Sequence, residues 1–167
     1  MGALRKKQAN EQRAVVLVDM DGTIADASRR ERKFLRAKRK DWAGFFRDME
    51  NDPPIASVME RVRELAQRYD IVILTGRPEK YRTQTEAWLA KQELPYTRLL
   101  MRKHGDRRPD FEAKAALLAE LDQRRIVLAL DDRPPVCAAY RELGIRVIEI
   151  ASNLENQLTN ETYRLMA

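Results

Sequence analysis

The chain has 167 residues, 44% of them apolar, with 32 Lys and Arg against 26 Asp and Glu for a net charge of +6. That apolar fraction excludes a disordered chain, and the length suits one domain with a real core. A single cysteine, Cys137, and a single histidine, His104, exclude an internal disulfide and any metal site built from Cys or His, leaving carboxylates as the plentiful ligands.

Residues 1–13 are polar and charged, an N-terminal extension with no apolar signal-peptide stretch. No apolar run approaches the roughly 18 residues of a membrane span, so a soluble, cytoplasmic protein is expected. Val15-Val16-Leu17-Val18 reads as a buried strand and runs directly into Asp19-Met20-Asp21-Gly22-Thr23. Residues 26–54 then interrupt the pattern with a basic, helical insertion that includes Arg29, Arg30, Arg32, Lys33, Arg36, Lys38, Arg39 and Lys40. It ends in an aromatic stripe, Trp42, Phe45, Phe46 and Met49, whose rings are expected to pack the insertion onto the body, with stacking on nucleic-acid bases as the alternative.

Beyond the insertion, strand and helix alternate. Ile55, Val58, Met59, Val62, Leu65, Ala66 and Tyr69 share one helical face, and Ile71-Val72-Ile73-Leu74 is the next strand, followed by Thr75-Gly76-Arg77-Pro78. A helix through Tyr81, Thr85, Trp88 and Leu89 leads to the strand Arg98-Leu99-Leu100-Met101 and then to Arg102-Lys103. A stripe of Phe111, Ala115, Leu118 and Leu121 predicts the following helix, on which Lys114 lies. Ile126-Val127-Leu128-Ala129-Leu130 precedes Asp131-Asp132-Arg133-Pro134. Val136, Cys137, Tyr140 and Leu143 mark a helix closed by Gly144, and Arg146–Ile150 is the fifth strand. Residues 154–167 form a C-terminal tail or helix, and 14–153 the domain proper. The fold class is therefore α/β, a Rossmann-like parallel five-stranded sheet with helices on both faces.

In such a sheet the ligand lies outside the carboxyl ends of the strands. Here those ends carry Asp19 and Asp21, Thr75 and Arg77, Arg102, and the pair Asp131 and Asp132. Acid pairs that follow buried strands repel one another unless a cation holds them, and oxygen ligands favour Mg²⁺, with Mn²⁺ as the alternative. The bland rival, an Asp-x-Asp that merely caps a turn, does not account for two acid pairs beside Thr-Gly-Arg. Lys114 alone would be a solvated helix lysine, and the basic run reads equally as a solvated face or as a surface facing nucleic acid. Cys137 falls on an apolar helix face and reads as buried and inert, while His104 has no second ligand near it.

Taken in order, Asp19-Met20-Asp21-Gly22-Thr23, Thr75-Gly76-Arg77, Lys114 and Asp131-Asp132 resemble the four motifs of the haloacid dehalogenase-like (HAD) phosphohydrolases. Thr85, Trp88-Leu89, Met101-Arg102, Gly105 to Asp110 and Tyr140 to Gly144 narrow the resemblance. They are similar to the phosphatase domain of bacteriophage-type polynucleotide kinase-phosphatase, which removes 3′-phosphates from nucleic-acid ends. The resemblance implies Asp19 as nucleophile, Asp21 as general acid and base, and Thr75 and Lys114 as further catalytic groups. It implies Gly76, Arg77, Arg30, Arg102 and Asp110 as phosphate or substrate contacts. It also implies Mg²⁺ held by Asp19, Asp21, Asp131 and Asp132, with Asp131 favoured over Asp132 as the direct ligand. No G-x-x-x-x-G-K-[ST] loop is present, so the kinase half is expected to be absent and a separate kinase or ligase becomes a candidate partner. The resulting expectation is a Mg²⁺-dependent polynucleotide 3′-phosphatase acting on DNA or RNA ends. Its rivals are a phosphatase of nucleotides or other small metabolites, and a phosphate-binding module without activity.

Overall fold

A computed structural model describes residues 13–36 and 38–150. Its sheet is entirely parallel, in the order β3-β2-β1-β4-β5, with β1 (Val15–Val18) at the centre. The others are β2 (Asp70–Pro78), β3 (Arg98–Arg102), β4 (Ile126–Asp131) and β5 (Val147–Glu149). Successive side chains alternate between the faces of a strand. Val16, Val18, Ile71 and Ile73 accordingly join one apolar cluster, while Val15, Leu17, Val72 and Leu74 join another on the opposite face.

The helices supply the outer layers. The insertion holds α1 (Ser28–Arg30), a π-helical turn at Glu31–Leu35, and α2 (Trp42–Arg47). Then α3 (Ala56–Ala66) and α4 (Arg82–Lys91) cover the first cluster with Val58, Met59, Val62, Leu65, Trp88 and Leu89. The other face is covered by α5 (Asp110–Leu117) and α6 (Pro134–Glu142), through Leu117, Val136 and Tyr140. Each such buried side chain contributes about 1.5–3 kcal/mol, so the layers hold without a disulfide. Two prolines at the start of α6 and Gly144 at φ +77 just beyond its end delimit that helix.

Three features differ from the sequence reading. The buried face of α5 is Ala113, Lys114 and Leu117 with the following Leu118, while Phe111 is 37% exposed. Apolar periodicity misplaced that face because a lysine occupies its centre, drawn inward by acids. Strand β2 extends through Thr75-Gly76-Arg77 to Pro78 and slips register between Thr75 and Pro78, so these residues are an irregular strand end and not a separate loop. The aromatic stripe divides: Phe45 and Met49 pack as expected, but Trp42 is 47% exposed.

The insertion leaves and rejoins the core at one point. Asp26 N–H donates to the Pro53 carbonyl and Ile55 N–H to the Ile24 carbonyl, each at 2.9 Å, around an antiparallel bridge between Ala25 and Pro54. Part of its positive charge is neutralised internally, since Arg29 and Lys33 both face Asp48, at 2.7 and 3.6 Å. The C-terminal tail and most of the N-terminal extension lie outside the described residues.

Candidate active site

The carboxyl ends of β1, β2 and β4 converge. Asp19 follows β1 directly, its N–H bonded to the Leu130 carbonyl of β4 at 2.9 Å, so the strand pairing itself aims the side chain. Met20 turns away into the core, fully buried, and its carbonyl accepts from the N–H groups of Thr23, Ile24 and Ala25. Gly22, at φ +85, makes that reversal and brings the Asp21 side chain back to the same edge as Asp19.

Lys114 is the node of one half of the site. Its ammonium, buried with the residue 1% exposed, donates to Asp19 Oδ1 and to Asp131 Oδ2, both at 2.7 Å, and lies 3.6 Å from Asp110 Oδ2. Burial opposes its charge, but Asp19, Asp131 and Asp110 outweigh that cost and raise its pKa well above the ordinary lysine value. For Asp19 burial wins over the attraction of Lys114, and its pKa rises well above the usual carboxylate value. Asp132 is pushed up to about 6 by burial and by its neighbour Asp131.

These acids fit a divalent cation. Asp19, Asp131 and Asp132 offer oxygens within 4.8 Å of one another, three carboxylates facing the ammonium of Lys114 and the guanidinium of Arg133. Asp132 Oδ1 is buried with no hydrogen-bond partner, while both Asp131 oxygens are engaged, one by Lys114 and one by the Arg133 N–H at 3.0 Å. An unpartnered buried carboxylate oxygen is costly, and a hard cation relieves it. The orphaned oxygen thus belongs to Asp132, although the sequence reading favoured Asp131.

The second half surrounds Asp21. Arg77 donates from Nη2 to Asp21 Oδ1 at 2.5 Å and from Nε to Oδ2 at 3.0 Å, and Arg30 donates from Nη2 to Oδ1 at 2.6 Å. Both arginines are wholly buried. Burial would raise the Asp21 pKa, but the two guanidinium groups overcome it and hold it at about 2. Arg30 and Arg77, read from the sequence as phosphate contacts, are therefore committed to this acid, because burial demands a paired charge. Arg30 also donates Nε to both Asp52 oxygens, at 2.7 and 2.9 Å, and Nη1 to the Phe45 carbonyl at 2.9 Å. Asp52 was missed in the sequence. It is a buried acid at the far end of the insertion, and only its separation by a folded segment from Arg30 hid the pairing.

The remaining sequence-predicted residues assemble at the same edge. Thr75 Oγ1 accepts from the Arg77 N–H at 3.2 Å, so its own proton is free to donate. Arg102 donates to the Gly76 carbonyl at 3.1 Å and to Asp110 Oδ1 at 2.8 Å. Gly76 passes so close to Asp110 that a methyl group there would overlap the carboxylate. Cys137 is buried and its thiol is pushed up to about 12, as an inert core residue should be. An open cavity of about 690 Å³ collects Asp19, Asp21, Thr75 and Gly76 with Arg102, and continues past Trp42.

The family model described as polynucleotide kinase PNKP phosphatase domain matches residues 13–154. A chain in the structure of a Pnkp1/Rnl/Hen1 complex is 29% identical, with a TM-score of 0.65, over 83% of this chain and 46% of that one. A chain of the Pnkp1/Rnl/Hen1 RNA repair complex is likewise 29% identical, with a TM-score of 0.66, over 81% of this chain and 42% of that one. This chain thus spans less than half of either. The putative HAD-hydrolase YfnB from Bacillus subtilis, bound to magnesium, is 15% identical with a TM-score of 0.63, over 93% of this chain and 99% of that one, a likeness of fold. No curated protein matches the chain.

Proposed function

The chain belongs to the polynucleotide kinase PNKP phosphatase-domain family, and on that premise we propose that it is a Mg²⁺-dependent polynucleotide 3′-phosphatase. The observation that carries the reading is the buried triad Asp19–Lys114–Asp131, whose Asp19 lines a cavity that Arg102, Arg107 and Arg133 also line. A separate ligase or kinase is a fitting partner, since chains similar to this one occur in structures of Pnkp1/Rnl/Hen1 assemblies.

In this reading an Asp19 carboxylate oxygen attacks phosphorus in line, the ester P–O bond breaks, and an aspartyl-phosphate forms. Asp21 gives a proton to the departing 3′-oxygen and later takes one from the water that hydrolyses the intermediate. Asp21 rests ionised between Arg77 and Arg30, the state suited to the second role. The first role requires Asp21 to take up a proton, which the negative charge of a phosphate bound beside it favours by raising its pKa. The Thr75 hydroxyl and the Gly76 N–H donate to phosphoryl oxygens, and Lys114 offsets their charge. Mg²⁺ bound by Asp19, the Asp21 main-chain carbonyl, Asp131 and Asp132 would screen the repulsion between carboxylate and phosphate. Arg102 and Asp110 brace the Gly76 backbone.

The test is phosphate release from matched oligonucleotides, with Asp19→Asn as the control against contaminating phosphatase. A 3′-phosphorylated strand should be hydrolysed faster than its 5′-phosphorylated isomer and faster than free nucleotides. Equal rates would overturn the polynucleotide reading and favour a small-molecule phosphatase.

A further inference from the structure

One wall of the cavity takes no part in the chemistry above. Trp42 and Phe46 line the same cavity as Asp19, and their rings lie 6.1 Å apart with 26° between planes. Tyr81 continues the row, 5.4 Å and 30° from Phe46. Phe45, buried beneath, stands edge-on to both Trp42 and Phe46, at 80° and 76°, and fixes their tilt. The row ends in Trp42, a large ring left half in solvent. Apolar surface of this size exposed inside a catalytic cavity marks a ligand contact.

The cavity also carries cations, some of them beside the row itself, since the Lys80 ammonium lies 5.0 Å from the Tyr81 ring. Lys80 and Arg107 are exposed lining residues of the cavity, and among the described residues Arg107 makes no ion pair. Lys40 adds a third charge, 5.9 Å from the Trp42 ring. A flat heteroaromatic ring joined to an anionic chain satisfies the rings and the cations at once. A simple sugar phosphate would leave the rings unused, and an apolar ligand would leave the cations unused.

Resting on the 3′-phosphatase reading, we propose that Trp42 and Phe46 form a stacking subsite for the nucleobase of the terminal, 3′-phosphorylated nucleotide, with Arg107 and Lys80 facing the next backbone phosphate. Every base has a π-face, so the subsite reads the presence of a base and not its identity. Wild-type enzyme should therefore prefer a 3′-phosphorylated hexanucleotide over the same strand ending in an abasic nucleotide, by about tenfold in kcat/KM.

Steady-state kinetics of the full chain on these two substrates test the idea. Trp42→Ala should narrow the preference to about twofold, mainly through KM, and Trp42→Phe should retain most of it. Fluorescence gives a readout independent of turnover. The second tryptophan, Trp88, is only 1% exposed, so acrylamide quenching reports Trp42. The 3′-hydroxyl hexanucleotide should protect Trp42 from acrylamide, and its abasic counterpart should not. A preference unchanged in Trp42→Ala, or equal protection by both strands, overturns the subsite while leaving the 3′-phosphatase reading intact. A wild-type enzyme that does not favour 3′- over 5′-phosphate overturns that reading, and the subsite with it.

Discussion

Asp132 lies beneath Gly22 so closely that a methyl group on Gly22 would overlap the Asp132 carboxylate. The turn that returns Asp21 to the site is therefore also the roof over the acid whose oxygen is orphaned. Gly22→Ala meets two penalties, a left-handed backbone at φ +85 and displacement of Asp132. It should raise the Mg²⁺ concentration for half-maximal turnover about tenfold or more and lower Tm. Asp132→Asn should reproduce the Mg²⁺ effect without the loss of Tm, and EDTA should silence the wild type. Magnesium titrations of turnover with thermal melts decide it, and an unaltered Mg²⁺ requirement in Asp132→Asn would remove that residue from the metal set.

Asp52 is the counter-charge that lets Arg30 be buried. Its carboxylate takes the Arg30 Nε and its main-chain carbonyl accepts from Trp88 Nε1 at 2.9 Å, so it ties the insertion to α4 as well. Asp52→Ala should destabilise the fold by about 3 kcal/mol, because it leaves the buried guanidinium groups of Arg30 and Arg77 to share the one carboxylate of Asp21. Urea unfolding measures this. Asp52→Asn should cost less, since an amide oxygen still accepts.

The hold on Asp21 has a defined pH range. Its folded pKa, about 2, lies below the ordinary carboxylate value, so the ion pair with Arg77 adds stability above about pH 4 and loses it as pH falls through about 2. Arg77→Met should thus be less stable than wild type by on the order of 2 kcal/mol at pH 7. That gap should close between about pH 4 and 2, in denaturant titrations run with EDTA. A gap that persists at pH 2 would locate the Arg77 contribution in its approach to Met49, whose sulfur lies 3.1 Å from Nη1.

Arg36, Lys38, Arg39 and Lys40 are exposed, whereas Arg29, Arg30 and Lys33 face acids of the protein. Replacing the four exposed cations with Ser should raise KM for a long oligonucleotide. It should also flatten the fall of log(kcat/KM) with log salt, by about 0.7 for each single-strand phosphate that the protein no longer neutralises. An identical salt slope would make them ordinary solvated charges.

Much of this architecture was legible because its signals are local. Four-residue apolar runs are strands wherever both faces of a sheet are covered, and the polar residue that follows each one must lie at the site edge. Asp19, Thr75 and Asp131 were found that way. Arg30 and Arg77 were recognised as site residues but given phosphate as their partner, because a guanidinium's partner is a matter of packing and not of spacing. The Asp52 pairing spans 22 residues of insertion with no periodic signature to reveal it. Phe111 misled for the opposite reason: an aromatic at helical spacing suggested a core face that Lys114 in fact occupies.

The insertion enters at Asp26 and exits at Ile55 through adjoining backbone bonds, so it is a cassette with its two ends clipped together. Such a cassette can be exchanged without altering the path of the sheet, and substrate choice can diverge while the phosphate chemistry stays constant. One constraint travels with it. Because Arg30 and Asp52 both belong to the cassette and Asp21 to the core, any replacement must bring its own cation to meet Asp21, or the acid loses half of its hold.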